Sequence, residues 1–138
     1  MSLLGKVLRT YLTEQTGYAA TIPGGISPEV TGTGLPLPFV HYAGVSRQRI
    51  NLVGNTSIYY TERVTFSCAA TTRSGVQTVV DWITSKIALA STRTVMSGVT
   101  VHTLRVDDEG DIAEFLADGA DEPVRTTTVD VIGSYEIT

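Results

Sequence analysis

Polar and apolar residues alternate most clearly across residues 58–68. Ile58, Tyr60, Val64, Phe66 and Cys68 share one side with Glu62, while Thr61, Arg63, Thr65 and Ser67 share the other. A period of two is the signature of a half-buried strand, and β-branched and aromatic residues suit a pleated, packed surface. The alternation breaks at Thr71, Thr72 and Arg73. From there Val76, Val79, Val80, Ile83 and Ile87 recur at steps of three and four, which places them on one helical face. Ser74, with Gln77 three residues later, fits a capping box at the start of that helix. Strand and helix together predict the centre of the core, the helix laid on the sheet that holds the strand.

Around this centre the pattern is more varied. Leu3, Leu4, Val7, Leu8, Tyr11 and Leu12 predict a short amphipathic helix, with Ser2 as its N-cap and Gly17 as its stop. Residues 21–38 hold Gly24, Gly25, Gly32 and Gly34 among Pro23, Pro28, Pro36 and Pro38, which defeats helix and central strand alike. The Gly32-Thr33-Gly34 triplet runs into Leu-Pro and matches no phosphate-binding loop, so a surface connection is expected. Residues 38–42 read as a short strand entered through Pro38, with His41 on the face opposite Val40 and Tyr42. Residues 44–55 carry Arg47 and Arg49 and form either a long exposed loop or a protruding hairpin.

Residues 99–106 give a further strand, and Asp107, Asp108, Glu109 and Asp111 crowd around Gly110 as a solvated acidic turn. Their spacing does not fit an EF-hand loop. A brief helical turn is expected over 112–116 and a turn-rich stretch over 117–123. A long strand follows over 126–138, in which Gly133 suggests a bulge. The sum is an α+β domain: one mainly antiparallel sheet with an N-terminal helix and a central helix packed on one face.

Composition narrows the function classes. The 138 residues, 42% hydrophobic and 17% charged, suit one globular domain with a sizeable core. The single cysteine, Cys68, excludes an internal disulfide and falls on the apolar side of its strand, as buried filler does. Fourteen acidic residues against ten basic ones, net −4, argue against nucleic-acid binding as the main task. No stretch approaches the roughly 18 apolar residues of a membrane span, and no secretory signal is evident at residues 1–12. His41 and His102 lack metal-ligand spacing. Asp81 and Ser85 share a helix face, but no nucleophile elbow or spaced acid–base pair accompanies them. No catalytic residue, metal or cofactor is expected. Trp82 suits either a subunit contact or the edge of the core.

The order of elements, with Tyr59-Tyr60-Thr61-Glu62-Arg63-Val64-Thr65-Phe66-Ser67-Cys68 at its centre, resembles the tail-completion (tail-terminator, head–tail joining) proteins of long-tailed bacteriophages and prophages. The similar features are the N-terminal helix, the proline-rich stretch leading to Pro38-Phe39-Val40-His41-Tyr42, the helix carrying Val76, and the late strand from Arg125 through Val129, Val131 and Tyr135. The resemblance implies a virion protein, assembled in the host cytoplasm, that closes into a ring, usually of six. Such a ring ends polymerisation of the tail tube and docks the head connector, so its partners are copies of itself, the tube protein and the connector. DNA passes through its lumen without specific binding. The texture of the chain suggests Arg47, Arg49, Arg63, Asp107, Asp108, Glu109 and Asp111 as interface residues. Arg47 or Arg49 would pair with the acidic turn of a neighbour. A monomeric ligand-binding or adaptor domain is the alternative, and it predicts an apolar pocket beneath the helices.

Overall fold

The computed structural model describes residues 2–28, 37–50, 58–90, 94–115 and 124–137, so the Gly32-Thr33-Gly34 triplet, residues 51–57 and the stretch 117–123 lie outside the described residues. In chain order the elements are helices α1 (Leu3–Thr13) and α2 (Tyr18–Thr21), strands β1 (Ile26–Pro28), β2 (Phe39–Ile50) and β3 (Ile58–Ala70), and helix α3 (Arg73–Leu89). Strands β4 (Thr94–Met96), β5 (Val99–Glu109), β6 (Ala113–Phe115) and β7 (Val124–Ile137) follow. They form one sheet in the order β1-β2-β3-β7-β5-β4, with β6 continuing the line of β5 against β7. Of the described pairs, β1–β2 is parallel and the others are antiparallel. The chain is therefore α+β, with a mainly antiparallel sheet and N-terminal and central helices packed against it. No helix among the described residues is long and apolar enough to cross a membrane.

The two periodicities meet where expected. Val64, Phe66 and Cys68 of β3, Val129, Val131 and Tyr135 of β7, and Val40 and Tyr42 of β2 are buried on one side of the sheet. Leu4, Val7, Leu8 and Leu12 of α1 and the stripe Val76, Val79, Val80, Ile83 and Ile87 of α3 cover them. Each such side chain contributes roughly 1.5–3 kcal/mol when fully buried. The other side of the sheet carries Thr61, Arg63, Thr65, Asp130, Ile132 and Ser134, half-buried beside one another. Two glycines set how closely α1 approaches. A Cβ on Gly5 would lie 2.7 Å from Tyr42 Cδ2, and one on Gly133 would lie 3.0 Å from both Leu4 Cδ2 and Leu104 Cδ1.

Several local readings change. Helix α3 starts two residues earlier than Ser74 implies: Thr72 is its N-cap and accepts from the Gly75 N–H at 2.9 Å. Gln77 instead donates to Asp81 at 2.8 Å. Gly17 does not stop α1, which ends at Thr13; with φ 88° it begins α2. Residues 26–28 form a three-residue edge strand inside the stretch expected to be a connection. The helical turn expected over 112–116 is replaced at residues 113–115 by β6. Gly133 makes no bulge: β7 runs unbroken against β3, and the irregularities fall on β5 at Val101/Thr103 and Val106/Asp108. Gly133 is a glycine because Leu4 and Leu104 occupy the space of a side chain.

Candidate subunit interface

Of the two readings of residues 44–55, the hairpin holds for the described part. Strand β2 pairs with β3 from Phe39 to Ile50, with an irregularity between Gly44 and Ser46. On its outer side β1 covers only Val40, His41 and Tyr42. Beyond Tyr42 the outer edge of β2 has no backbone partner among the described residues. The seven residues 44–50 are exposed without interruption, Val45 to 59%. Register places Arg47 opposite Glu62 and Arg49 opposite Tyr60, so both arginines lie on the helix side of the sheet. The Arg47 guanidinium stacks over Tyr60, 4.6 Å from the ring centre.

A buried carboxylate fixes the base of this arm. Glu62, only 3% exposed, accepts from the Ser2 hydroxyl at 2.7 Å and from the Leu4 N–H at 2.9 Å. Ser2 Oγ in turn accepts from the Gly5 N–H at 2.8 Å. The carboxylate thus satisfies orphan donors and faces the positive end of the α1 dipole. Nearby, the Tyr135 hydroxyl is buried beside Glu62 and Arg47 with no partner at hydrogen-bond geometry among the described residues, and burial reinforced by the Glu62 charge pushes its pKa up to about 12. Sequence reasoning missed this role. Its signal was a lone acid among apolar residues on the buried side of β3.

On the uncovered side, charges are joined across three strands. Arg63 of β3 meets Asp107 of β5 at 2.7 Å and Asp130 of β7 at 3.3 Å. Arg105 also meets Asp107 at 2.7 Å, and Thr65 donates to Asp130 at 2.7 Å. The hydrogen bond from Arg63, then that from Arg105, holds the Asp107 carboxyl below the usual carboxylate range. The same bond to Asp107 raises the Arg63 pKa. The irregularity at Val106/Asp108 places Asp107 for this contact.

The structure therefore separates the seven candidate residues into groups. Arg63 and Asp107 are partners within one chain. Arg47 and Arg49 sit on the open β2 arm. Asp108 and Glu109 are not in a turn but close β5, both exposed, with Asp111 exposed just beyond; Glu109 accepts from Thr84 at 3.2 Å. The outer edge of β5 is covered by β4 only at Val99, Thr100 and Val101, so residues 103–109 also form an edge without a backbone partner among the described residues.

The remaining candidates settle within the chain. His102 lies 2.8 Å from Glu136, while His41 packs on Phe39 three strands away and toward the other end of the sheet. Trp82 donates to the Thr16 carbonyl at 3.2 Å and packs against the core, bracing α3 on the start of α2. Cys68 is fully buried, and burial pushes its thiol up to about 12. A cleft of about 220 Å³ opens at the base of the arm, lined by Ser46, Gln48, Thr61, Arg63 and Ile132. It lies on strands β2, β3 and β7 rather than beneath the helices.

No protein-family model matches this sequence, and no curated protein does. Among solved structures it is similar to a chain of the virion of a native gene transfer agent (GTA) particle, with a TM-score of 0.67 at 12% identity. The match covers 97% of this chain and 95% of that one. Helices, sheet and arm together thus make a fold shared, nearly end to end, with a chain of that virion.

Proposed function

We propose that this protein is a non-catalytic structural subunit of a phage-type virion. More specifically, it acts as a tail-completion protein that closes as a ring, six subunits in the reading above, on the head-proximal end of a tail tube. The observation that carries the reading is the fold shared over 97% of this chain with a virion component. Two sheet edges without a backbone partner among the described residues support it, because heterologous contacts that close on themselves make rings. In this role the protein works in the tail or neck of the particle after assembly in the host cytoplasm, contacting copies of itself, the tube protein and the head connector. The net charge of −4 lets DNA pass through the lumen without being held, since stable phosphate contacts need clustered Lys and Arg.

The test is addition of the purified protein to tail tubes polymerising from the tube protein of the same phage or prophage. Arrest of elongation, with the protein seen at one tube end by electron microscopy, is expected. Tubes that grow on unchanged and carry no bound protein would overturn the assignment.

A further inference from the structure

The open edges differ in charge and in direction. The β2 edge presents Arg47 and Arg49, while the β5 edge ends in Asp108 and Glu109. Pairing two β2 edges about a two-fold axis would set arginines against arginines. Pairing two β5 edges at their ends would set Asp108 and Glu109 against the same acids. Like charges directly opposed across strands are destabilising, so neither edge suits itself and each suits the other.

Topology agrees. The path β2-β3-β7-β5 takes three antiparallel steps, so β2 and β5 of one subunit run in opposite directions. A second copy placed alongside in the same orientation brings its β2 antiparallel to the first copy's β5. Resting on the ring reading above, we propose that the β2 edge of one copy adds to the β5 edge of the next, so that the sheets join into one closed band.

The offset between the charges fits such a band. Straight across the sheet, Glu109 is level with Tyr42, four ladder steps from Arg47. At about 3.4 Å per step this is roughly 14 Å. Four strands at about 4.8 Å spacing, tilted about 35–45° as in closed sheets, slide past the next unit by roughly 13–19 Å. Arg47 and Glu109 also lie on the same, helix-bearing side of the sheet, so the slide brings opposite charges together.

Two variants test the pairing. Arg47→Glu with Arg49→Glu makes the β2 edge acidic, and Asp108→Lys with Glu109→Lys makes the β5 edge basic. By light scattering after size exclusion, each alone is expected to need about tenfold or more protein to assemble, because like charges then face each other. An equimolar mixture, in which unlike edges alternate, is expected to recover the wild-type mass. Assembly of either variant at the wild-type concentration, or a mixture that stays monomeric although both variants are folded, overturns the proposal. Hydrogen exchange on the wild type is independent of any variant. Amides of 47–50 and of 106–109 should gain protection together on assembly, and unchanged exchange there overturns the proposal. A wild-type chain that is monomeric at every concentration yet still arrests tube growth would overturn edge pairing and leave the tail-completion reading standing.

Discussion

Replacing Glu62 by Ala would remove the tie between the first helix and the middle of the sheet. In the native chain its two oxygens accept from Ser2 Oγ at 2.7 Å and from the Leu4 N–H at 2.9 Å, sixty and fifty-eight residues earlier. The Leu4 N–H is buried, and leaving such a donor unsatisfied costs about 1–3 kcal/mol. Loss of a negative charge from the α1 N-terminus adds roughly 0.3–1 kcal/mol. The expected destabilisation is therefore about 1.3–4 kcal/mol in urea unfolding. Native-state hydrogen exchange should show the largest loss of protection in α1. Glu62→Gln keeps one acceptor oxygen and should fall near the lower end. The Ser2→Ala and Glu62→Ala changes share a hydrogen bond, so their double-mutant cycle should give a coupling of about 0.5 kcal/mol or more. A Glu62→Ala protein within about 0.5 kcal/mol of the wild type, the scatter expected of an ordinary surface change, would refute the cap.

Three further outcomes follow from the geometry. Gly133→Ala places a methyl group 3.0 Å from Leu4 Cδ2 and Leu104 Cδ1, and should cost about 1–3 kcal/mol by denaturant titration. Asp107 has a carboxyl pKa lowered in the folded state, so its contribution is complete above the unfolded value of about 3.9 and is lost as pH falls below it. Asp107→Asn should accordingly flatten the fall in urea midpoint between about pH 4 and pH 2. With its thiol buried and pushed up to about 12, Cys68 should resist iodoacetamide at pH 8 in the folded protein and label fully in urea, as read by mass spectrometry.

The elements most legible in the sequence were those whose burial repeats. The period of two in β3 and the helical stripe of α3 each bury one side against the same core, so local pattern and tertiary packing agree. Features decided by distant residues were not legible. Thr72 outcompetes Ser74 as the cap, although both are good capping types, because the strand before it ends at Ala70. The segment 113–115 is a strand because Val124, Arg125 and Thr126 offer it an open line beyond β5. The interface candidates show the same limit. Residue type alone made Arg63 an interface candidate beside Arg47 and Arg49, whereas strand order brings Asp107 and Asp130 to Arg63 and leaves the other two on the arm.

Strand β7 is the last strand in sequence and the middle one in space, flanked by β3 on one side and by β5 and β6 on the other. During synthesis, β3 and β5 must therefore wait with their inner edges bare until β7 arrives to fill the gap between them. Contacts this distant in sequence slow folding and leave sticky edges exposed in the meantime. Shortening the chain before residue 124 would cut the sheet in half, giving β1-β2-β3 on one side and β5-β4 on the other with no hydrogen bonds between them. An incomplete chain would thus lack the connected sheet that carries both edges.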